Sequence, residues 1–320
     1  MNRTAKHTVR RAATPPNKSF IVTGGNSGLG FECALVLAQD CSTLVVIACR
    51  DLVAGEQAAQ RIRDGGGNVE VLPLDLAQQL SIRAFAEVFR AGRFPPLDGL
   101  ICNAGGQNVG APTKTAEGYE TTFAVNHLGH YLLSRLLLPL LAEGGRITFV
   151  SSGTHDPLAK TGMPEPQYTS ADALAHDFEP GMRAGQRRYT TSKLCNIYTT
   201  HELARRLAVS PDPRLQSLRV NALDPGLMPG TGLARTYSAP LRFVSKYVLP
   251  LLSLVVRNVH KPATSGRRLA ALASGSEGQT TGKYFSDGRE VRSSVASYAT
   301  GNALELWTAS ARMSGLASEL

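Results

Sequence analysis

The chain has 320 residues, of which 42% are hydrophobic, and a formal net charge of +9. That length and apolar content suit one large α/β domain and exclude a disordered or fibrous chain. The basic excess lacks the aromatic-rich patch of a nucleic-acid surface, and the most apolar stretch, Tyr247 to Val256, is too short for a spanning helix and contains Pro250.

Part of the positive charge lies in the first eighteen residues, which carry Arg3, Lys6, Arg10, Arg11 and Lys18; no acid appears before Glu32. Residues 1–18 are expected to be a flexible basic tail, joined through Thr14-Pro15-Pro16-Asn17. A transit peptide is the alternative reading of that composition. The five cysteines lack metal spacing, and Cys49 and Cys102 end apolar runs. They fit a reduced, cytoplasmic compartment.

Phe20-Ile21-Val22 reads as a buried strand, and Phe31 to Ala38 as a helix. Between them lies Thr23-Gly24-Gly25-Asn26-Ser27-Gly28-Leu29-Gly30. Strand, glycine-rich turn and helix form a phosphate cradle, because amides at the helix start point at the anion. Gly28 and Gly30 let a pyrophosphate and a neighbouring strand come close.

Leu44 to Cys49 is the second expected strand, followed by a helix over Val53 to Ile62 and a stop at Gly65-Gly66-Gly67. Val69 to Leu72 is the third strand, ending at Leu74-Asp75-Leu76; Leu80 to Phe89 has helical periodicity; Leu97 to Cys102 is the fourth strand, running into Asn103-Ala104-Gly105-Gly106. This alternation predicts a single doubly wound, Rossmann-type domain over 19–320, with a mainly parallel sheet flanked by helices. Ligands on such sheets bind at the carboxyl ends of strands. At the end of the second strand stands Arg50, followed by Asp51. A guanidinium there suits the 2′-phosphate of NADPH, whereas an acid would suit the ribose of NADH. The alternative is that Arg50 pairs with Asp51 or solvent.

Gly118 to Leu141 reads as one long apolar helix containing Asn126, His127 and His130. The two histidines lack a third metal ligand and read as structural. A buried amide at Asn126 serves either a broken backbone bond or a water. Gly145 to Val150 is the fifth strand and delivers Ser151-Ser152. Residues 153–187, rich in proline and glycine, read as an insertion at the mouth of the site. Arg188-Tyr189-Thr190-Thr191-Ser192-Lys193 opens a helix reaching Leu207, with Tyr189 and Lys193 on one face. Leu218 to Leu223 is the sixth strand, leading to Asp224-Pro225-Gly226-Leu227. Residues 227–260 read as an apolar substrate lid, which leaves open contact with a greasy substrate, a membrane surface or a second copy of the chain. Gly282 to Phe285 is expected to be the last strand.

The spacing G-x-x-x-G-x-G at Gly24, Gly28 and Gly30, then N-A-G, N-H-L-G, S-S and Y-x-x-x-K in that order, resembles the short-chain dehydrogenase/reductase family from about Ser19 to Leu316. Ile47 to Asp51, Asn126 to His130, Leu133 to Leu138, Ser192 to Asn196 and Thr231-Gly232-Leu233 look like the light-dependent protochlorophyllide oxidoreductases and related retinol-dehydrogenase-like reductases. The resemblance implies a dinucleotide site formed by Gly24, Asn26, Ser27, Gly28, Leu29 and Gly30. Asp75 and Leu76 would lie at the adenine, and Asn103, Ala104 and Gly105 along the ribose. Pro225 and Gly226 would border the nicotinamide, with Thr231 at its amide or the diphosphate.

It further implies catalysis by Tyr189 and Lys193, which also touch the cofactor, with Ser152 facing the substrate and Asn126 holding a water linked to Lys193. The photoenzymes carry a cysteine directly after the Pro-Gly, where this chain has Leu227. The expectation is therefore an NADPH-dependent oxidoreductase acting on a carbonyl/alcohol pair of a bulky, apolar small molecule. The alternatives are light-driven C=C reduction and a non-catalytic NADPH-binding regulator, although a regulator needs no proton relay.

Overall fold

Strands form where apolar runs are buried on both faces. β1 (Lys18–Thr23) and β2 (Thr43–Cys49) are almost wholly inaccessible, as expected for the middle of a parallel sheet with helices on either side. The computed structural model describes residues 15–228 and 260–320. Between and after those strands come α1 (Gly28–Leu37), α2 (Leu52–Asp64), β3 (Asn68–Pro73), α3 (Gln79–Arg90) and β4 (Leu97–Cys102). Each matches its expected position with small extensions at the ends.

Then follow α4 (Thr121–Phe123), a five-residue π turn at Ala124–Leu128, α5 (Gly129–Leu137) and β5 (Leu141–Val150). Next are α6 (Ala171–Ala175), α7 (Met182–Ala208), α8 (Pro213–Ser217) and β6 (Arg219–Asp224). The chain ends with α9 (Pro262–Ser274), β7 (Lys283–Ser286), β8 (Arg289–Val291) and α10 (Thr300–Met313).

The sheet order is β3-β2-β1-β4-β5-β6-β7-β8. All neighbours are parallel except β7 and β8. The chain therefore reverses direction across the sheet between β1 and β4, the crevice where such sheets bind ligands. One apolar layer packs beneath α3 and α5, around Phe85, Tyr131, Leu132 and Trp307. The other packs beneath α1, α2 and α9, around Phe31, Ile47, Ile62 and Leu269.

The structure corrects three expectations. β7 is not the last strand: β8 pairs with it through a two-residue turn at Asp287 and Gly288, both at positive φ. Asp-Gly is a strong hairpin signal, but the exposed Arg-Glu-Val of β8 shows no apolar alternation. Second, α7 begins at Met182, so the insertion ends earlier than 187. Gly185 lies inside the first turns of this helix, where a Cβ would lie 2.1 Å from the Asn108 carbonyl oxygen; its bareness lets the loop after β4 pack onto the helix. Third, the long helix over 118–141 is shorter and contains the π turn, marked by Gly129 N–H bonding the Ala124 carbonyl. Such turns insert one residue and are frequent at functional sites.

Candidate active site

The cradle is built from backbone. Gly24 and Gly28 have φ of +63° and +55°, a region costly to residues with a side chain. A Cβ on Gly30 would lie 2.5 Å from both the Gly24 carbonyl oxygen and Asn103 Nδ2. Ser27 makes no side-chain cap, and no acid sits in the first turn of α1. The first-turn amides beside Asn26 and Leu29 are thus left to an anion, as a dinucleotide pyrophosphate requires. The residues present fit that group.

At the end of β2, Asp51 does not pair with Arg50. Its carboxylate accepts the Ala54 N–H at 2.9 Å and caps α2. The exposed Arg50 guanidinium is left without a carboxylate partner among the described residues. At the end of β3, Asp75 closes its own turn, accepting from Ala77 N and Gln78 Nε2. The neighbouring Leu76 is buried, and Gly129 must stay bare because its Cβ would lie 2.5 Å from the Leu76 carbonyl oxygen.

Thr23, whose role the sequence did not disclose, anchors the loop after β4. Its hydroxyl oxygen accepts the amides of Asn103 and Ala104, each at 2.9 Å. Asn103 Nδ2 donates to the Thr23 carbonyl at 2.7 Å. The far end of the loop is held by Asn126, which is buried. Its Oδ1 accepts from Gly106 N, and its Nδ2 donates to the Gly106 carbonyl and to Ser192 Oγ. The amide is thus engaged by protein groups. A Cβ on Gly105 would come within 3.0 Å of Asn126 Oδ1 and 3.6 Å of Lys193 Nζ, so loop, amide and ammonium converge.

The two serines after β5 divide their work. Ser151 Oγ donates to the Lys193 carbonyl and ties α7 to the strand end. Ser152 is only half-buried, and its Oγ accepts Thr154 N–H at 3.3 Å. His155 holds the Ser152 carbonyl through Nδ1 at 2.7 Å and accepts Ser294 N–H at Nε2. Burial lowers the pKa of that ring.

Tyr189 and Lys193 are both buried on α7. Lys193 Nζ lies 5.5 Å from the Tyr189 ring centroid and donates to the Val150 carbonyl at 3.0 Å. Burial pulls the lysine down to about 8, opposed by the charge of Asp224. Asp224 is a further residue the motifs did not reveal. It is buried, accepts Gly226 N–H at 2.9 Å and Ser286 Oγ–H at 3.1 Å, and shapes the Pro225-Gly226 turn. Ser265 Oγ donates to the Pro225 carbonyl at 2.6 Å. Thr231 and nearly all of the expected lid lie outside the described residues. So does most of the expected tail.

Among the described residues, no group of three or more His, Cys, Asp or Glu could hold a metal, and no helix is long and apolar enough to cross a membrane. His127 is instead held by Ser310 Oγ at 2.9 Å.

Residues 18–176 match the family described as short chain dehydrogenase. Mouse retinol dehydrogenase 12 is 35% identical over 94% of this chain and 87% of its own length. Protochlorophyllide reductase of Avena sativa is 32% identical over 93% of this chain and 99% of its own. The chain belongs to the short-chain dehydrogenase/reductase family. Within it, the chain falls in the branch similar to protochlorophyllide reductases and retinol dehydrogenases. A protein of Beutenbergia cavernae, described as an NAD(P)-dependent gluconate 5-dehydrogenase and solved with NADP bound at low occupancy, superposes with a TM-score of 0.59. It is 25% identical, covering 85% of this chain and 96% of its own. This short-chain dehydrogenase/reductase is accordingly an oxidoreductase acting on small molecules.

Proposed function

We propose that this protein is an NADPH-dependent reductase, or the reverse dehydrogenase, acting on a carbonyl/alcohol pair of a bulky apolar molecule in the cytoplasm. The observation that carries the reading is the buried Lys193 ammonium beside the Tyr189 ring, at the strand end that delivers Ser152. Gly24, Gly28, Gly30 and the first turn of α1 would hold the pyrophosphate, Asn103 to Gly105 the ribose, and Pro225-Gly226 the nicotinamide edge. NADPH supplies the hydride when bound. Arg50, which has no carboxylate partner among the described residues, favours its 2′-phosphate over the bare ribose of NADH.

Tyr189 gives its phenolic proton to the substrate oxygen, and the Lys193 charge favours the phenolate left behind. Ser152 donates its hydroxyl proton to the same oxygen as negative charge develops. Asn126 acts by holding Gly106, and so the loop facing Lys193. This set argues against a non-catalytic regulator.

Light-driven C=C reduction is the second reading, favoured by the protochlorophyllide reductase relatives. Against it stands Leu227, whose side chain can neither donate a proton nor act as a thiolate. Purified protein with NADPH, assayed against ketones, aldehydes and quinones in darkness and in light, tests the proposal. The expected result is equal carbonyl-dependent NADPH oxidation in both, with no protochlorophyllide turnover on illumination. A chlorophyllide absorption band appearing only in light would overturn it.

A further inference from the structure

His130 lies at the start of α5 beneath the crevice, with no exposed surface. Both ring nitrogens have partners. Nδ1 is 3.3 Å from the Asn126 carbonyl oxygen, and Nε2 is 2.9 Å from Thr23 Oγ1. A carbonyl can only accept, so Nδ1 carries the proton. Burial drives the ring pKa down to about 3, with Lys193 adding to the effect, and the ring is neutral at ordinary pH. Nε2 is then bare and must accept, which makes the Thr23 hydroxyl the donor.

That hydroxyl has one proton. Once it is given to His130, the Ile101 carbonyl at 3.2 Å cannot share it fully, and both oxygen lone pairs turn to the Asn103 and Ala104 amides. The result is a closed circuit. From its side chain, Asn126 holds Gly106 at one end of the loop after β4. From its carbonyl, through His130 and Thr23, it holds Asn103 and Ala104 at the other.

We propose that His130 is a positioning residue that fixes the hydrogen-bond direction of this circuit, coupling the π turn bearing Asn126 to the loop that would carry the cofactor ribose. It touches neither substrate nor cofactor. The proposal uses the dinucleotide site proposed above for one of its two readouts only.

The first readout is the tautomer of His130 in the cofactor-free protein, from long-range ¹⁵N–¹H correlations assigned with a His130→Gln control. A neutral ring protonated at Nδ1 is expected; protonation at Nε2, or a charged ring at pH 7, overturns the proposal. The second is NADPH affinity by fluorescence titration. His130→Asn can keep the bond to the Asn126 carbonyl but cannot reach Thr23, whereas His130→Gln places an acceptor near the position of Nε2. His130→Asn is expected to weaken NADPH binding about tenfold, and His130→Gln no more than about threefold.

Thr23→Val should produce a loss similar to that of His130→Asn, and the double variant Thr23→Val/His130→Asn little more than either alone, because one circuit is broken once. Equal losses for Asn and Gln at 130, or additive losses with Thr23→Val, would show that His130 merely fills space. If wild-type protein fails to bind NADPH, the proposed function falls, while the tautomer still decides the role of His130.

Discussion

The two walls of the crevice are made of different material. The wall formed by residues 23–30 and 103–106 is backbone: left-handed glycines, uncapped amides and a threonine hydroxyl that shapes a loop. The wall formed by residues 150–152 and 189–196 is side chain, with a lysine ammonium and a tyrosine taken out of water. A backbone wall is sensitive to added atoms, because a Cβ has nowhere to go. A buried-charge wall tolerates shape better and is sensitive to protonation, because desolvation acts on the charged form alone.

The largest effect is expected on the side-chain wall, at Tyr189. Tyr189→Phe removes one oxygen and should lower turnover about a hundred- to ten-thousandfold while leaving NADPH affinity nearly unchanged. Steady-state rates and a fluorescence titration on the same sample test it; unchanged turnover would remove Tyr189 from the chemistry.

Lys193 should show itself in stability. Its native pKa is lowered from 10.5 to about 8, so between those pH values the unfolded chain binds a proton that the native protein has released. Stability from this group therefore rises with pH across that window, by roughly 3 kcal/mol in all. Urea denaturation from pH 7.5 to 10.5 should show the rise in wild type and lose it in Lys193→Met. Identical slopes would mean that the ammonium is not desolvated.

Beside the backbone wall, at the end of β2, Arg50 would recognise the proposed cofactor by charge. Arg50→Ala should cost about 1.5–3 kcal/mol in NADPH binding, or roughly ten- to a hundredfold, and spare NADH. Calorimetry with both cofactors distinguishes this from a general loss, which would make Arg50 structural.

Gly30→Ala acts on the backbone wall by shape alone. Forcing a methyl group against the Gly24 carbonyl and Asn103 should cost about 1–3 kcal/mol, appearing both as a lower Tm and as weaker NADPH binding. Gly301→Ala in α10, where a Cβ would meet nothing within 4 Å and φ is not positive either, controls for an added methyl group without a clash. Equal effects at the two positions would refute the steric account.

Much of this architecture was legible locally. Apolar runs ending at Val22, Cys49, Cys102, Val150 and Leu223 marked the strands, and Gly24, Arg50, Asn103, Ser152 and Pro225 stand just beyond their carboxyl ends. The first two turns of α7 and strand β8 were missed for one reason. Gly185 and the exposed Arg289–Val291 owe their conformations to a partner segment, the loop at 108–109 and β7 respectively, and carry little periodicity of their own.

The sequence by itself determined the order of elements, the parallel sheet and the crevice residues whose types recur at short spacing. This follows because strand burial, glycine geometry and a four-residue helical step are encoded within a few residues. Tertiary structure alone decided which polar groups meet. His130 reaches Thr23 across 107 positions, His155 reaches Ser294 across 139, and Asp224 reaches Ser286 across 62. Those pairings arise only when strands and helices stack, since a buried donor or acceptor must find its partner wherever the packed chain places one.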